Sequence, residues 1–217
     1  MARPVNPRRY HSPLRREQAN ATQRAVLEAA RELFVGGGYV ATTMEAIAAR
    51  GGVSPETVYA TFRNKRSLLA RLVDVTIAGD DAPIPVIDRR WVQAVSEEPD
   101  ARRAVRLLAR NGRSILERVM PIYEVLRGAA AADPHAAAVL ERYRSQRFAG
   151  QRHILRALTV RHPLREGLTT SMATDVLYAI GSPETYGLLV RDRGWSGRRF
   201  ERWYAETLAR LLLSSDP

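Results

Sequence analysis

The 217-residue sequence contains no cysteine and a single lysine. Without thiols, neither a disulfide framework nor thiol catalysis is possible. No apolar run reaches the length of a membrane span, and no charged segment followed by an apolar one opens the chain as a secretion signal would. We therefore expect a cytoplasmic protein that does not enter the membrane.

Sequence signatures of common catalytic sites are also missing. There is no G-x-S-x-G elbow, P-loop, dinucleotide-binding glycine pattern or H-E-x-x-H motif. Metal coordination would need donors at fixed spacings, but the histidines, at His11, His135, His153 and His162, are scattered. The sequence therefore predicts no catalytic residues, no cofactor and no metal.

The charge is strongly basic, with 34 Lys and Arg against 23 Asp and Glu and a formal net charge of +11. Such an excess favours polyanions, nucleic acid first and an acidic membrane surface second. Residues 1–20 hold five arginines, one glutamate and three prolines and show no apolar periodicity. We interpret them as a flexible basic arm, which either follows DNA or is a solvated tail.

The most informative segment reads TTMEAIAARGGVSPETVYATFRNKRSLL. Thr42 and Glu45 have the spacing of a capping box at a helix start. Gly51-Gly52 supplies the backbone freedom that a sharp helix stop needs, and Ser54 with Pro55 has the pattern of a new helix start. Two short helices joined by a tight glycine turn form a helix-turn-helix, whose second helix fits the major groove of DNA.

The second of these helices has a polar outer surface. It runs from Pro55 to about Thr61, and Val58 and Phe62 have the spacing to face inward. The side chains left outside are small, polar or amphipathic: Thr57, Tyr59, Ala60 and Thr61. This composition favours insertion into a groove over burial in a core.

Two segments, ATQRAVLEAARELFVGGGY and ATTMEAIAARGGVSPETVYATFRNKRSLL, resemble the tetracycline-repressor (TetR) family of bacterial transcriptional regulators. The likeness includes the aromatic Tyr59, the Phe62 three positions later and the Asn64-Lys65 elbow. It implies that the head touches DNA, and the candidate DNA-binding residues are Thr43, Ser54, Thr57, Tyr59 and Lys65. Since Lys65 is the sole lysine of this arginine-rich chain, either a compact ammonium is needed there or the lysine persists by chance.

The fold is predicted to be all-α. We expect a three-helix DNA-binding head over residues 21–66, with its first helix at 21–35, and a helical ligand-binding and dimerisation body over 67–217. Proline and glycine punctuate the body into helices. The predicted helices are 67–77, 88–97, 100–119, 121–132, 134–160, 170–180, 183–191 and 197–214.

Two apolar helix stripes of the body are interrupted, one by Asn111-Gly112 and the other by Gln146, Arg147, Gly150 and His153. Polar groups and missing side chains on inward faces indicate a cavity, although single residues at the edge of a stripe can equally meet water. The resemblance implies the same, since TetR-family regulators bind effectors among the central body helices. The predicted ligand-binding residues are Asn111, Tyr123, Tyr143, Gln146, His153 and Tyr178.

The last two helices carry an aromatic and aliphatic stripe. Such a stripe is more often core than interface, but a short head reads few bases and two-fold dimers extend the reading. We therefore predict a homodimer whose interface contains Tyr186, Phe200, Trp203, Tyr204, Leu208 and Leu211.

The predicted function is a DNA-binding transcriptional regulator. We expect a homodimeric repressor that binds a pseudo-palindromic double-stranded operator and is released by a small-molecule effector. The alternatives are an activator or architectural DNA-binding protein without an effector, an enzyme on a helical body, and a ligand carrier whose head binds DNA nonspecifically.

Overall fold

The computed structural model describes residues 13–80 and 84–214, with side chains from residue 16 onward. Over these residues the chain forms ten α-helices, and its extended pairing is limited to an isolated bridge between Leu164 and Leu213. The predicted all-α class is confirmed. The chain divides into two compact units, Met1–Leu68, which we call the head, and Leu69–Pro217, which we call the body.

The head contains helices α1 (Pro13–Gly37), α2 (Met44–Arg50) and α3 (Pro55–Phe62), and α4 (Lys65–Ala78) begins in it. Helix α1 starts eight residues before the predicted start at Ala21, because the intervening residues include good helix formers such as Arg, Gln, Glu and Ala. The predicted flexible arm over residues 1–20 is therefore wrong for 13–20. The rest of that arm, residues 1–12, lies outside the described part of the chain.

The core of the head comes from all three of its complete helices. Val26, Phe34, Ile47 and Val58 are each fully buried. Tyr39, in the connection after α1, packs its ring 5.4 Å from that of Phe34. Burial of these side chains holds α2 and α3 at the angle that their short connection allows.

The body continues α4 and adds six helices. These are α5 (Arg90–Glu97), α6 (Ala101–Ala130), α7 (Pro134–Thr159), α8 (Thr170–Ile180), α9 (Pro183–Tyr186) and α10 (Gly197–Leu212), with a short 3₁₀ turn at Val86–Asp88. Helix α6 is the central element, because α5, α7 and α10 all pack against it. Their shared core includes Val105, Leu108, Leu155, Leu177 and Leu208.

Helix α6 runs through Pro121, where the sequence predicted a break between 100–119 and 121–132. An internal proline costs about 3 kcal/mol because it removes a backbone hydrogen bond and crowds the preceding turn. Val119, Ile122 and Tyr123 are all buried around it. Packing on both sides of the proline offsets its cost, and the helix remains continuous.

The predicted helix over 183–191 is shorter than expected. Helix α9 ends at Tyr186, and the chain widens into a π-helical segment, Gly187–Asp192. A Cβ atom at Gly187 would lie 2.8 Å from the Met120 Cε atom, so the backbone approaches α6 closely at this point. Because that atom is the flexible end of the Met120 side chain, a small shift of Met120 would make room for a methyl group at this position.

Candidate nucleic-acid interface and ligand cavity

The connection between α2 and α3 has the geometry of a tight helix-turn-helix. Gly51 caps α2 through hydrogen bonds to Ala49 and Ile47, and Gly52 follows with φ of 66°. The Val53 amide donates to the Ala48 carbonyl at 3.0 Å, which closes the turn. The left-handed backbone at Gly52 favours glycine, because a residue with a Cβ atom would be strained in that conformation.

Helix α2 begins one residue later than the capping pattern predicts. The N-cap is Thr43, whose Oγ1 accepts a hydrogen bond from the Ala46 amide at 3.1 Å. Thr42 is buried instead, and its hydroxyl donates to the Gly38 carbonyl at 2.8 Å. Thr42 thus satisfies a carbonyl at the end of α1 while Thr43 satisfies an amide of α2.

Helix α3 presents the surface that the sequence predicted. Ser54 is its N-cap and accepts from the Thr57 amide at 3.2 Å, and Pro55 opens the first turn. Val58 and Phe62 are buried, whereas Thr57 is half-buried and the other outward residues, Tyr59, Ala60 and Thr61, are exposed. The helix therefore offers hydroxyls and small side chains to a partner in a groove.

Tyr59 is oriented by an acidic neighbour on α2. Its ring is 43% exposed, and its hydroxyl donates to Glu45 at 3.0 Å. This hydrogen bond raises the pKa of Tyr59, while the backbone amide of Glu45 and then the Tyr59 hydroxyl lower the pKa of Glu45. The phenol stays protonated at neutral pH, and a phosphate oxygen would have to displace Glu45 to accept its single proton.

Lys65 has a role within the head that the sequence did not predict. Its ammonium donates to the carbonyls of Tyr39 at 2.9 Å, Thr42 at 2.9 Å and Val40 at 3.3 Å, and it lies 4.5 Å from the centre of the Tyr39 ring. An ammonium has three N–H donors, so these carbonyls engage all of them. A phosphate contact, as the family resemblance implies for Lys65, would have to displace one of the three.

Arg63 closes α3 in an unusual backbone conformation. Its φ is 63° and its ψ is −46°, and the Asn64 amide donates to the Phe62 carbonyl at 2.7 Å. These values define a three-residue γ-turn, which is strained for a residue with a Cβ atom. Asn64 then starts α4, since its Oδ1 accepts from the Ser67 amide at 2.8 Å.

The body contains a cavity of about 700 Å³, lined by α4, the Val86–Asp88 turn, α5, α6, α7, Gly181 after α8, and α10. Gly112 and Gly150, the glycines that interrupt the two stripes, both line it. A Cβ atom on Gly150 would meet nothing within 4 Å, so this part of the wall is open. The volume is in the range of cavities that hold small organic molecules.

The predicted ligand-binding residues divide into two groups. Tyr143, Gln146 and His153 line the large cavity. Asn111 lines a separate pocket of about 160 Å³ instead, and its amide donates to the Leu107 carbonyl at 2.8 Å because α6 turns it away from the cavity.

Tyr123 and Tyr178 line neither of these two pockets. The Tyr123 hydroxyl donates to Glu184, while the ring of Tyr178 lies 3.5 Å below the guanidinium of Arg147. These two pockets therefore do not support Tyr123 and Tyr178 as ligand contacts, and the large cavity does not support Asn111 as one. Trp91 and Arg147 also line the cavity but are not among the predicted ligand-binding residues. Arg147 interrupts its helix stripe and could have been included on that ground, whereas no sequence pattern singled out Trp91.

The predicted dimer interface is wrong for four of its six residues. Tyr186, Phe200, Tyr204 and Leu208 are between 0% and 4% exposed within a single chain and belong to the core of the body. The stripe on α10 packs against α6 of the same chain. The two half-buried members are Trp203 and Leu211.

Two further features are absent from residues 13–80 and 84–214. No helix there is both long and apolar enough to cross a membrane. The same residues contain no group of three His, Cys, Asp or Glu side chains placed to hold a metal ion.

Residues 26–72 match the model for bacterial regulatory proteins of the tetR family. This match covers the helix-turn-helix and the helices on either side of it. No curated protein matches the chain significantly.

Solved structures share the fold over nearly the whole chain. A putative TetR-family regulator from Mesorhizobium loti is 21% identical with a TM-score of 0.68, covering 91% of this chain and 99% of its own. NalD, the secondary repressor of the MexAB-OprM efflux pump in Pseudomonas aeruginosa, is 20% identical with a TM-score of 0.67, covering 92% and 100%. SmeT of Stenotrophomonas maltophilia, in complex with triclosan, is 21% identical with a TM-score of 0.69, covering 90% and 93%. Together with the family match, these structures confirm the resemblance to the TetR family.

Proposed function

We propose, on the basis of this resemblance to the TetR family, that the protein is a transcriptional repressor that binds a pseudo-palindromic operator as a homodimer and is released by a small molecule. The observation that carries the proposal is helix α3. It is capped by Ser54, held by the buried Val58 and Phe62, and exposes a short polar face. Recognition helices of helix-turn-helix proteins present such a face to base edges.

Some outward residues of the head are suited to contacts with base edges and others to contacts with phosphates. Thr57 lies on α3, where a hydroxyl and a methyl group can both meet base edges. Thr43 and Ser54 stand at helix starts, where hydroxyls and backbone amides are suited to phosphate oxygens. Tyr59 lies on the same side of the head, where its hydroxyl donates a hydrogen bond to Glu45.

A dimer is proposed because one head spans few base pairs, and a two-fold pair of heads reads a palindrome. Apolar side chains remain exposed towards the C-terminal end of the body. Met172 on α8 is 52% exposed and Leu188 in the π-helical segment is 57% exposed. With the half-buried Trp203 and Leu211, they are our candidates for the partner surface.

Effector binding is proposed for the cavity in the body. NalD is described as a repressor of a multidrug efflux pump and SmeT is solved with triclosan, which supports a similar use of the cavity here. Helix α4 contains both Lys65 of the head and Ile77 and Ala78 of the cavity wall. A ligand that binds one position of this helix better than another would shift the affinity for DNA.

The direct test is selection of binding sites from random double-stranded DNA, followed by titration of the selected duplex. We expect an inverted repeat among the selected sequences and binding by two chains per site. Thr57→Ala should weaken the selected duplex by about 1 kcal/mol or more and relax the preference at one position of each half-site. Thr170→Ala is the matched control, since Thr170 is exposed in the body.

Selected sequences without a shared motif would contradict sequence-specific binding by the head. A motif without inverted symmetry would contradict the two-fold arrangement but not DNA recognition. Thr57→Ala with unchanged base preference would remove Thr57 from the reading surface.

A further inference from the structure

We propose that the cavity of the body binds an apolar molecule that carries one carboxylate, with the carboxylate held by Arg147 and the hydroxyls of Tyr143 and Tyr204. This inference rests on the proposed ligand-responsive function and specifies the chemistry of its effector. It depends on three features of the cavity: two tyrosine hydroxyls that make no hydrogen bond within the described residues, one anchored cation, and apolar walls with an excess of positive charge.

The two tyrosines are buried donors that face the cavity. Tyr204 is 1% exposed, Tyr143 is 5% exposed, and both line the cavity. Among the described residues, neither hydroxyl has a hydrogen-bond partner. Neither oxygen is fully shielded from solvent, since Arg89 Nε is the one such atom without a partner among the described residues. Both hydroxyls are therefore free to donate to an acceptor that enters the cavity.

Arg147 brings a positive charge to the same end of the cavity. Its Nη1 atom donates to the carbonyls of Tyr178 at 2.9 Å and Gly181 at 3.3 Å, and the guanidinium lies 3.5 Å from the centre of the Tyr178 ring. The Tyr204 hydroxyl lies against the same Gly181, where an added Cβ atom would overlap it. Gly181 thus brings the guanidinium and the phenol together.

Burial keeps the two phenols in their donor form. It raises the pKa of both Tyr143 and Tyr204, and the nearby charge of Arg147 offsets only part of that rise. Both hydroxyls therefore remain protonated at neutral pH. A carboxylate has acceptor sites for two O–H donors and one guanidinium edge, which matches this set.

The rest of the wall favours an apolar body of negative overall charge. Ile77, Ile87, Trp91, Leu108, Ile115 and Ile154 supply apolar surface. The other charged lining residues are Arg71, Arg152, Arg156 and Asp74, and Asp74 is paired with Arg142 at 3.0 Å. The arginines of this wall disfavour a cationic ligand, and a carboxylate at Arg147 would share the guanidinium charge with Glu184.

The test compares matched pairs of probes that differ in one charge: 2-naphthoate with 2-naphthamide, and decanoate with decanamide. Titration calorimetry on the full chain without DNA should show at least one carboxylate binding ten-fold or more tighter than its amide, a difference of about 1.4 kcal/mol. Arg147→Gln should abolish that preference, and Tyr204→Phe should weaken the carboxylate several-fold.

Two control variants remove the same groups elsewhere. Arg110→Gln deletes an exposed charge of α6 that does not line the cavity. Tyr186→Phe deletes the hydroxyl of a buried tyrosine that does not line the cavity. Both should retain the wild-type preference for the carboxylate.

Equal binding of carboxylate and amide in both pairs, or dissociation constants weaker than about 1 mM for both carboxylates, would overturn the inference. So would a preference that survives in Arg147→Gln. Should Arg147→Gln fail to fold, the wild-type pairs and Tyr204→Phe still decide the matter. Because these titrations contain no DNA, a failure of operator binding leaves their result unaffected, and a failure here leaves the operator selection unaffected.

Discussion

Lys65 shows how one side chain can hold a connection together. Its ammonium satisfies three backbone carbonyls after α1, those of Tyr39 and Thr42 in half-buried contacts and that of Val40 at the surface. Loss of the two half-buried hydrogen bonds would cost about 1–3 kcal/mol in total. Arginine is not equivalent, since its planar guanidinium cannot direct three N–H donors from a single nitrogen atom to three carbonyls. The sole lysine of the chain is therefore explained by the geometry of its site.

Lys65→Ala should lower the free energy of unfolding of the head by about 1–3 kcal/mol. Hydrogen exchange of the amides of α1 to α3 measures this loss, with Arg16→Ala, at an exposed position of α1, as the control. Because the ammonium is engaged within the head, we expect the salt dependence of DNA binding to keep its slope. A slope lower by about one would instead support the phosphate contact that the family resemblance implies.

Arg63 is a second position where one residue determines local stability. Its positive φ at the end of α3 costs of order 1–3 kcal/mol for a residue with a Cβ atom. Arg63→Gly should relieve this strain, and after the extra entropy of glycine in the unfolded chain we expect a net gain of about 1 kcal/mol. Arg66→Gly removes the same charge from inside α4 and should destabilise the head by about 1 kcal/mol.

Chemical denaturation of both variants, followed by exchange of the Val58 and Phe62 amides, separates these outcomes. Loss of stability in Arg63→Gly would mean that the guanidinium makes a contact worth more than the strain. The comparison between the two variants is matched in charge and differs in backbone conformation.

At the scale of elements, α6 and α7 contribute to the cavity by carrying glycines in place of larger side chains. Gly112 and Gly150 stand where larger side chains would continue the apolar stripes, and Gly150 faces open space. A helix interior disfavours glycine by about 0.5–1 kcal/mol relative to alanine. The empty volume is therefore maintained at a cost in stability that a binding site would justify.

Gly150→Leu should fill the open part of the wall and prevent binding of the carboxylate probes while leaving operator binding unchanged. Gly128→Leu is its control, since Gly128 lies within α6, meets nothing within 4 Å of an added Cβ atom and does not line the cavity. Both substitutions should raise the melting temperature by a few degrees through helix propensity. Calorimetry of the two variants is the measurement, and undiminished probe binding in Gly150→Leu would move the ligand to another part of the cavity.

At the scale of the whole molecule, the buried aromatic stripe of α10 and the exposed apolar side chains have different roles. Leu208→Asp would place a carboxylate in the core of the body and unfold it, so it does not report on association. Leu188 is exposed and can report on it.

Leu188→Asp should reduce dimerisation and weaken operator binding by at least ten-fold, because each head would then bind its half-site alone. Sedimentation equilibrium measures the association, and Val160→Asp, at a residue 73% exposed after α7, is the control. A Leu188→Asp protein that remains dimeric with intact operator binding would place the partner surface elsewhere.

Local sequence patterns determined the helical class, the helix-turn-helix and the face of α3. Caps, glycine turns and helical periodicity act between residues a few positions apart, so a linear chain displays them directly. Ser54, Gly52, Val58 and Phe62 were all placed correctly for this reason.

Tertiary structure decided the roles that depend on residues distant in the chain. Lys65 meets carbonyls more than twenty positions away, Tyr204 lines a cavity with Tyr143 rather than a partner surface, and Pro121 stays helical because its neighbours are buried. A side-chain stripe shows which residues turn away from water but not which helix covers them. That choice is made by the packing of the whole body, where burial of apolar area outweighs local preference.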